Sequence, residues 1–259
     1  MTVWSAEAGH ADDPLIVLVH GAMDRSASML KLSRRLDDEY RVARYDRRGY
    51  GQSTPHRGPF DMPSQVHDLV GLLAGRRAVL VGHSYGGNVA LAVAASQPAL
   101  VAGVVVYEAP LSWEPWWPGA TAGAAAISAA ARPDDAAEAF MRRLIGDQRW
   151  LALPERTRST RRSEGVPLVN ELADLRSNRP WLAADVRVPV NVGYGTLARD
   201  HHRTGMAHLA ETLVDAQLVC LAGCGHAAPT TAPDQFRREL IAPLLQRAGP
   251  PWARAGAHV

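Results

Sequence analysis

Nine residues, Val79-Leu80-Val81-Gly82-His83-Ser84-Tyr85-Gly86-Gly87, restrict the fold of this chain more than any other stretch. The β-branched and aliphatic start suits a buried strand. Residues 88–97 read as an apolar helix. Between them lies Gly82-x-Ser84-x-Gly86, a G-x-S-x-G turn in the strand-turn-helix context that raises a serine on a strained backbone at the tip of a sheet. A Cβ at Gly82 or Gly86 would press on the neighbouring strand and helix. The hydroxyl of Ser84 then sits above a helix N-terminus, where developing negative charge is favoured.

The rest of the chain alternates strand and helix around this turn. Residues 15–19, Leu-Ile-Val-Leu-Val, form a continuous apolar run typical of a central parallel strand, and it ends at His20-Gly21-Ala22-Met23. Residues 26–36 have helical spacing, with Met29, Leu30, Leu32 and Leu36 on one face. Residues 41–45 read as a short strand that enters the glycine-rich loop Asp46-Arg47-Arg48-Gly49-Tyr50-Gly51-Gln52-Ser53. Residues 64–73 form a second helix, and residues 100–107 another apolar strand. Alternation returns with strands at 186–193 and 216–221, a helix at 204–213 and a closing amphipathic helix at 234–247, which Thr231 and Asp234 would cap. Room for one more strand exists at residues 2–6, and from Pro250 the chain reads as a frayed tail. This grammar predicts an α/β fold with a mostly parallel, doubly wound sheet. Its site should lie at the carboxyl ends of the strands.

Residues 111–185 break the alternation. They hold five of the seven tryptophans and are rich in Ala, Arg and Pro. A segment of that length reads as a helical insertion capping a core of residues 1–110 and 186–259.

Several function classes find no support. Lys plus Arg number 28 against 26 Asp plus Glu, so there is no electrostatic case for nucleic acid or an anionic membrane. No apolar run approaches the roughly 18 residues of a membrane span, and the N-terminus lacks a signal peptide's basic start and apolar stretch. A cytoplasmic protein acting on a small molecule is the expectation; oligomeric state leaves no sequence signal. Cys220 and Cys224, read as a buried strand residue and a loop residue, are too few for a disulfide framework. No nucleotide-binding glycine motif occurs. His201, His202 and His208 lack the Cys or carboxylate spacing of a zinc site, so neither a cofactor nor a metal is expected.

A serine nucleophile needs a base, and the base needs an orienting acid. Of ten histidines, only His226 both follows a late strand, through Gly223-Cys224-Gly225, and precedes the closing helix. It is the candidate base. His10, His56, His67, His208 and His258 read as surface residues.

The order of these motifs resembles the α/β-hydrolase fold family: strand-His20-Gly21, the Asp46-x-Arg48-Gly49-x-Gly51-x-Ser53 loop, Gly82-His83-Ser84-Tyr85-Gly86-Gly87, and Gly225-His226. The likeness covers residues 14–110 and 186–247 and is strongest for the cofactor-free esterase, lactonase and perhydrolase-like branch. It implies an oxyanion hole formed by the backbone N–H groups of Tyr85 and Ala22, with Met23 beside them at the substrate. It also implies structural roles for Asp46 and Arg48 in tying down their loop, and for His83 in packing beside the elbow. Epoxide hydrolases and haloalkane dehalogenases share the fold but use an aspartate nucleophile, against which Ser84 argues.

The chain departs from the family at the acid. The common aspartate position after the strand at 186–193 falls on Ala198, and the nearest carboxylate is Asp200. Other members place the acid after the strand that follows the elbow helix, where this chain reads Tyr107-Glu108-Ala109-Pro110. A carboxylate at the end of an apolar strand is costly to bury without a partner. His226 would supply one, and so would an arginine of the cap. Glu108 is therefore preferred, with Asp200 as the alternative. Asp24, Asp61 and Asp68 read as helix caps and surface charges. Trp113, Trp116 and Trp117 either line the substrate pocket or fasten the insertion to the core. The basic run Arg156, Arg158, Arg161 and Arg162 reads as a solvated face or, less readily, as a binding site for an acidic substrate. These residues point to a serine hydrolase for a small to medium carboxylic ester, lactone or thioester. Alternatives are a cofactor-free perhydrolase or C–C hydrolase with the same three residues, and a non-catalytic ligand-binding protein on the same fold.

Overall fold

The computed structural model describes residues 3–250. Seven strands make one sheet: β1 (Ser5–Ala8), β2 (Leu15–Val19), β3 (Arg41–Tyr45), β4 (Ala78–His83), β5 (Val101–Tyr107), β6 (Val190–Gly195) and β7 (Ala216–Leu221). Their spatial order is β1-β3-β2-β4-β5-β6-β7. Among the described residues only the β1–β3 pair is antiparallel. Every residue of β2 and β5 is buried, which explains their unbroken apolar composition. Each fully buried Val, Leu or Ile side chain contributes about 1.5–3 kcal/mol.

From β2 the chain winds outward to β3, then crosses back to place β4 on the other side of β2. The loops leaving β2 and β4 thus diverge at a topological switch point, where a crevice opens beyond the strand ends. His20–Met23 and Ser84 stand in these two loops.

The helices of the first half are α1 (Leu30–Ser33), α2 (Met62–Leu73) and α3 (Tyr85–Ser96). The helix expected at 26–36 is a 3₁₀ turn, Ser26–Met29, followed by the single turn of α1, although Met29, Leu32 and Leu36 are buried as predicted. Asp61 caps α2 by accepting from the Ser64 N–H at 3.0 Å. Asp68 is not a surface charge: it is buried and holds Arg48 through two hydrogen bonds of 2.6 and 2.7 Å.

Between β5 and β6 the chain forms α4 (Ala122–Ser128), α5 (Pro133–Ile145), α6 (Asp147–Ala152), α7 (Glu155–Ser163) and α8 (Gly165–Ser177). They have an apolar cluster of their own, with Phe140, Trp150, Leu168 and Leu172, and Met23 and Tyr50 of the core join it. The joint is polar as well. Arg47, fully buried, meets the fully buried Glu171 of α8 at 2.7 Å, and the Tyr50 hydroxyl donates to the same carboxylate at 2.6 Å.

After β6 come α9 (Asp200–Thr212), α10 (Ala228–Thr231), α11 (Pro233–Phe236) and α12 (Ala242–Arg247). The closing helix is composite: a π-helical turn, Arg237–Ile241, joins α11 to α12. The Thr231–Asp234 capping box does not form. Thr231 ends α10 and donates its hydroxyl to the Ala227 carbonyl, while Asp234 pairs with Arg35. Cys220 is exposed rather than buried, because β7 is the edge strand. The strand placed at residues 2–6 starts at Ser5, and Thr2 lies outside the described residues, as do His258 and nearly all of the tail read from Pro250 onward. No helix among the described residues is long and apolar enough to cross a membrane.

Candidate active site

Ser84 sits at φ 53°, ψ −125°, between β4 and α3. Such a conformation costs about 1–3 kcal/mol and persists only where its surroundings enforce it. The neighbours here do so through contacts that admit no side chain. A Cβ on Gly82 would come within 2.5 Å of the Gly86 carbonyl oxygen, and one on Gly86 within 2.2 Å of the Val19 carbonyl oxygen of β2. Gly21 is tight as well, though less so, since a Cβ there would stand 2.9 Å from the Cβ of Ser84. The Ser84 N–H donates to the Tyr107 carbonyl at 2.8 Å and fixes the turn to β5.

Glu108 follows β5 directly, at φ 47°, with no solvent exposure. Its N–H donates to the Gly193 carbonyl of β6 at 3.0 Å. Its Oε1 accepts from the Gly195 N–H at 3.1 Å, and its Oε2 accepts from His226 Nδ1 at 2.8 Å. This buried carboxylate has a hydrogen bond on each oxygen, which removes the cost of leaving it unpaired. Holding the proton on Nδ1 leaves the Nε2 lone pair of His226 free. Asp200 lies elsewhere: it opens α9, its side chain is 89% exposed, and it pairs with Arg203. Ala198, at the family's usual acid position, is buried.

The loop after β2 is held from behind. His20 Nδ1 donates to the Gly21 carbonyl at 2.8 Å, and Arg47 donates to that same oxygen at 3.0 Å. A trans peptide unit directs its N–H opposite to its C=O, so the Ala22 N–H faces away from those two donors. Arg47 also lies 4.6 Å from the ring centre of Tyr85. Burial disfavours its charge, but Glu171 outweighs that, so its pKa lies above the ordinary arginine value.

Beside these groups an open cavity lies between the sheet end and the cap. Ser84, Tyr85, Ala22, His226 and Trp117 line it. Met23, Trp113 and Trp116, expected at the substrate, are absent from its lining. Met23 is buried in the apolar cluster of the cap, and its carbonyl accepts from Arg161 at 2.9 Å. Trp113 packs edge-on against Trp181, with ring centres 5.4 Å apart. Trp116 turns to His208 at 5.5 Å. Trp116 and Trp117 lie side by side against α9, with ring centres 5.9 Å apart, and of the two only Trp117 lines the cavity.

Sequence reasoning missed the histidines of α9. His201 and His202 both line the cavity. His202 stacks on His226 with ring centres 4.9 Å apart and planes 22° apart, and His83 approaches from another side at 4.6 Å. His83 Nε2 donates to the His226 carbonyl at 2.8 Å. Burial, then the adjacent His226, pushes His83 down to about 3. The same two causes, joined by His201, put His202 well below the ordinary histidine range. Both rings are neutral at pH 7. The signal that could have found His201 and His202 was their place just past the carboxyl end of β6. Glu108, His202 and His226 bring potential ligand atoms within 4.8 Å of one another. An ion bound through His226 Nδ1 would have to displace the proton shared with Glu108, so the arrangement fits proton handling.

The basic run of α7 does not reach the cavity. Arg158 pairs with Glu155 and Arg162 with Glu138 within the cap, while Arg161 pairs with Glu164 and donates to the Met23 carbonyl, tying the cap to the core.

Comparison with known proteins bears on the fold and the family. Epoxide hydrolase 4 of Mus musculus is 31% identical over 108 residues, 40% of this chain and 30% of that protein. The 2-(acetamidomethylene)succinate hydrolase of Mesorhizobium japonicum is 35% identical over 98 residues, 37% of this chain and 35% of that protein. The alignments thus span about a third of the length of these curated relatives. A thermophilic esterase from Thermogutta terrifontis superimposes with a TM-score of 0.74 at 24% identity, covering 95% of this chain and 93% of that one, which shows the shared fold. A sequence model of the alpha/beta hydrolase family matches residues 16–239, and the chain belongs to that family.

Proposed function

We propose that this protein is a serine hydrolase that cleaves a carboxylic ester, lactone or thioester through an acyl-enzyme. The observation that carries the reading is the 2.8 Å hydrogen bond from His226 Nδ1 to the buried Glu108, beside a cavity that Ser84 lines on a strained turn. An epoxide-opening reading would put a carboxylate at position 84, where this chain has serine.

Ser84 Oγ attacks the carbonyl carbon while His226 Nε2 takes its proton. Glu108 stabilises the imidazolium and keeps the tautomer. The carbonyl oxygen becomes an oxyanion held by the N–H groups of Tyr85 and Ala22, each donor lowering the barrier by about 3–4 kcal/mol. Collapse of the tetrahedral species expels the alcohol or thiol, which takes the proton from His226. Water, deprotonated by His226, then releases the acid and restores Ser84.

The test is steady-state turnover of short p-nitrophenyl esters. Ser84→Ala should lose on the order of ten-thousandfold or more in kcat while melting at an unchanged temperature. Unimpaired turnover in that variant would refute the reading.

A further inference from the structure

The roof of the cavity carries charge that its floor does not need. Three arginines line it: Arg143 from α5, Arg176 from α8 and Arg199 immediately before α9. No carboxylate is among the lining residues, so the wall has three permanent positive charges and no compensating negative one. None of the three forms an ion pair among the described residues. Four other arginines of the insertion, Arg142, Arg161, Arg162 and Arg179, are each held by a glutamate. Two of the unpaired guanidiniums are partly fixed in place. Arg143 donates to the Ala120 carbonyl at 2.9 Å, and Arg199 donates to the Arg143 carbonyl at 3.0 Å. Each uses one nitrogen in this way and has donors to spare. The same cavity has an apolar share of its lining, with Trp117, Ile127, Phe140 and Leu172, beside the polar Ser112, Thr121, His201 and His202.

We infer that the substrate is an anionic acyl compound, with a carboxylate at one end, a short apolar spacer and the scissile carbonyl at the other. The inference rests on the acyl-transfer reading above and adds the chemical class of its substrate. The lining guanidiniums bind the carboxylate by charge-assisted hydrogen bonds, the apolar side chains cover the spacer, and the carbonyl lies over Ser84. Because carboxylate binding is the same before and during reaction at the remote carbonyl, it lowers KM and leaves kcat little changed. Salt should weaken it, as all three arginines are solvent-exposed.

The experiment compares mono-p-nitrophenyl adipate and suberate with the corresponding neutral p-nitrophenyl adipamate and suberamate. The expected result is a kcat/KM for the anionic ester about tenfold or more above that of its neutral twin, expressed in KM and reduced several-fold between about 50 and 500 mM NaCl. In Arg143→Gln, Arg176→Gln and Arg199→Gln the ratio of anionic to neutral kcat/KM should fall, about fivefold or more in at least one variant. Equal or better turnover of the neutral twin by the wild-type protein would overturn the inference and leave the acyl-transfer reading standing. A ratio unmoved in all three variants would overturn it as well. If neither ester is cleaved and Ser84 resists organophosphate labelling, the acyl-transfer reading falls and takes the inference with it.

Discussion

Ser84, Glu108 and Ala22 stand on turns that leave buried parallel strands, whereas Arg143, Arg176 and Leu172 stand on helices laid over them. The two halves of one cavity are built by different means. On the floor, backbone contacts dictate position: Gly21, Gly82 and Gly86 admit no Cβ, and Ser84 and Glu108 both take left-handed φ values. On the roof, side chains dictate position, through a small apolar cluster and the Arg47–Glu171 pair that joins it to the core. Chemistry that needs fixed geometry belongs to the first kind of construction. Substrate choice can be left to the second.

The sharpest way to break this contrast is to move the acid. Glu108→Gln should lose about 10³- to 10⁴-fold in kcat, because the amide no longer stabilises the imidazolium. The joint between floor and roof comes next. Glu171→Ala leaves Arg47 charged and buried without its partner and should cost about 3–5 kcal/mol, read from the urea midpoint. If instead the cap were only loosely attached, stability would hold and only KM would rise.

Acid should undo the floor through its neutral histidines. In the unfolded chain His83 titrates near 6.5, while in the folded protein it is pushed down to about 3. Below pH 6.5 the unfolded chain therefore binds more protons, and stability falls with pH across that window. The slope is about 1.4 kcal/mol per pH unit for each such group. His83→Asn should flatten it, as measured by urea unfolding at pH 7.5 and 4.5; an unchanged slope would show that His83 is not neutral in the folded state. The smallest effect should belong to Asp200→Asn, within about twofold in kcat/KM, since its side chain is exposed and paired only with Arg203. A loss there as large as in Glu108→Gln would shift the acid to α9.

The same division explains what the sequence discloses. The doubly wound parallel sheet was legible in its apolar strands, and the turn at Ser84 in its glycines, because buried strands and crowded turns permit few residue types. His226 followed from its place after a late strand. The geometry around Glu108 was readable from one oddity, a carboxylate at the end of Val-Val-Val-Tyr. The roof was not legible. Which of a helix's arginines faces a cavity depends on how that helix is rotated and what it packs on, and neither leaves a local mark. Arg161 and Arg162 form part of a conspicuous basic run yet bind glutamates, whereas the isolated Arg176 lines the cavity. Trp116 and Trp117 are adjacent in the chain and both pack on α9, yet only Trp117 reaches the cavity. His202 was discounted for lack of ligand spacing, although it stacks on His226 across 24 residues of sequence.

The central claim is that Ser84 is the covalent nucleophile, and active-site labelling tests it most directly. Intact-mass analysis after treatment with a fluorophosphonate, followed by peptide mapping, should show a single adduct on the peptide containing Ser84 and none in Ser84→Ala. An adduct that persists in Ser84→Ala, or a folded wild-type protein that takes up no label, would contradict the account.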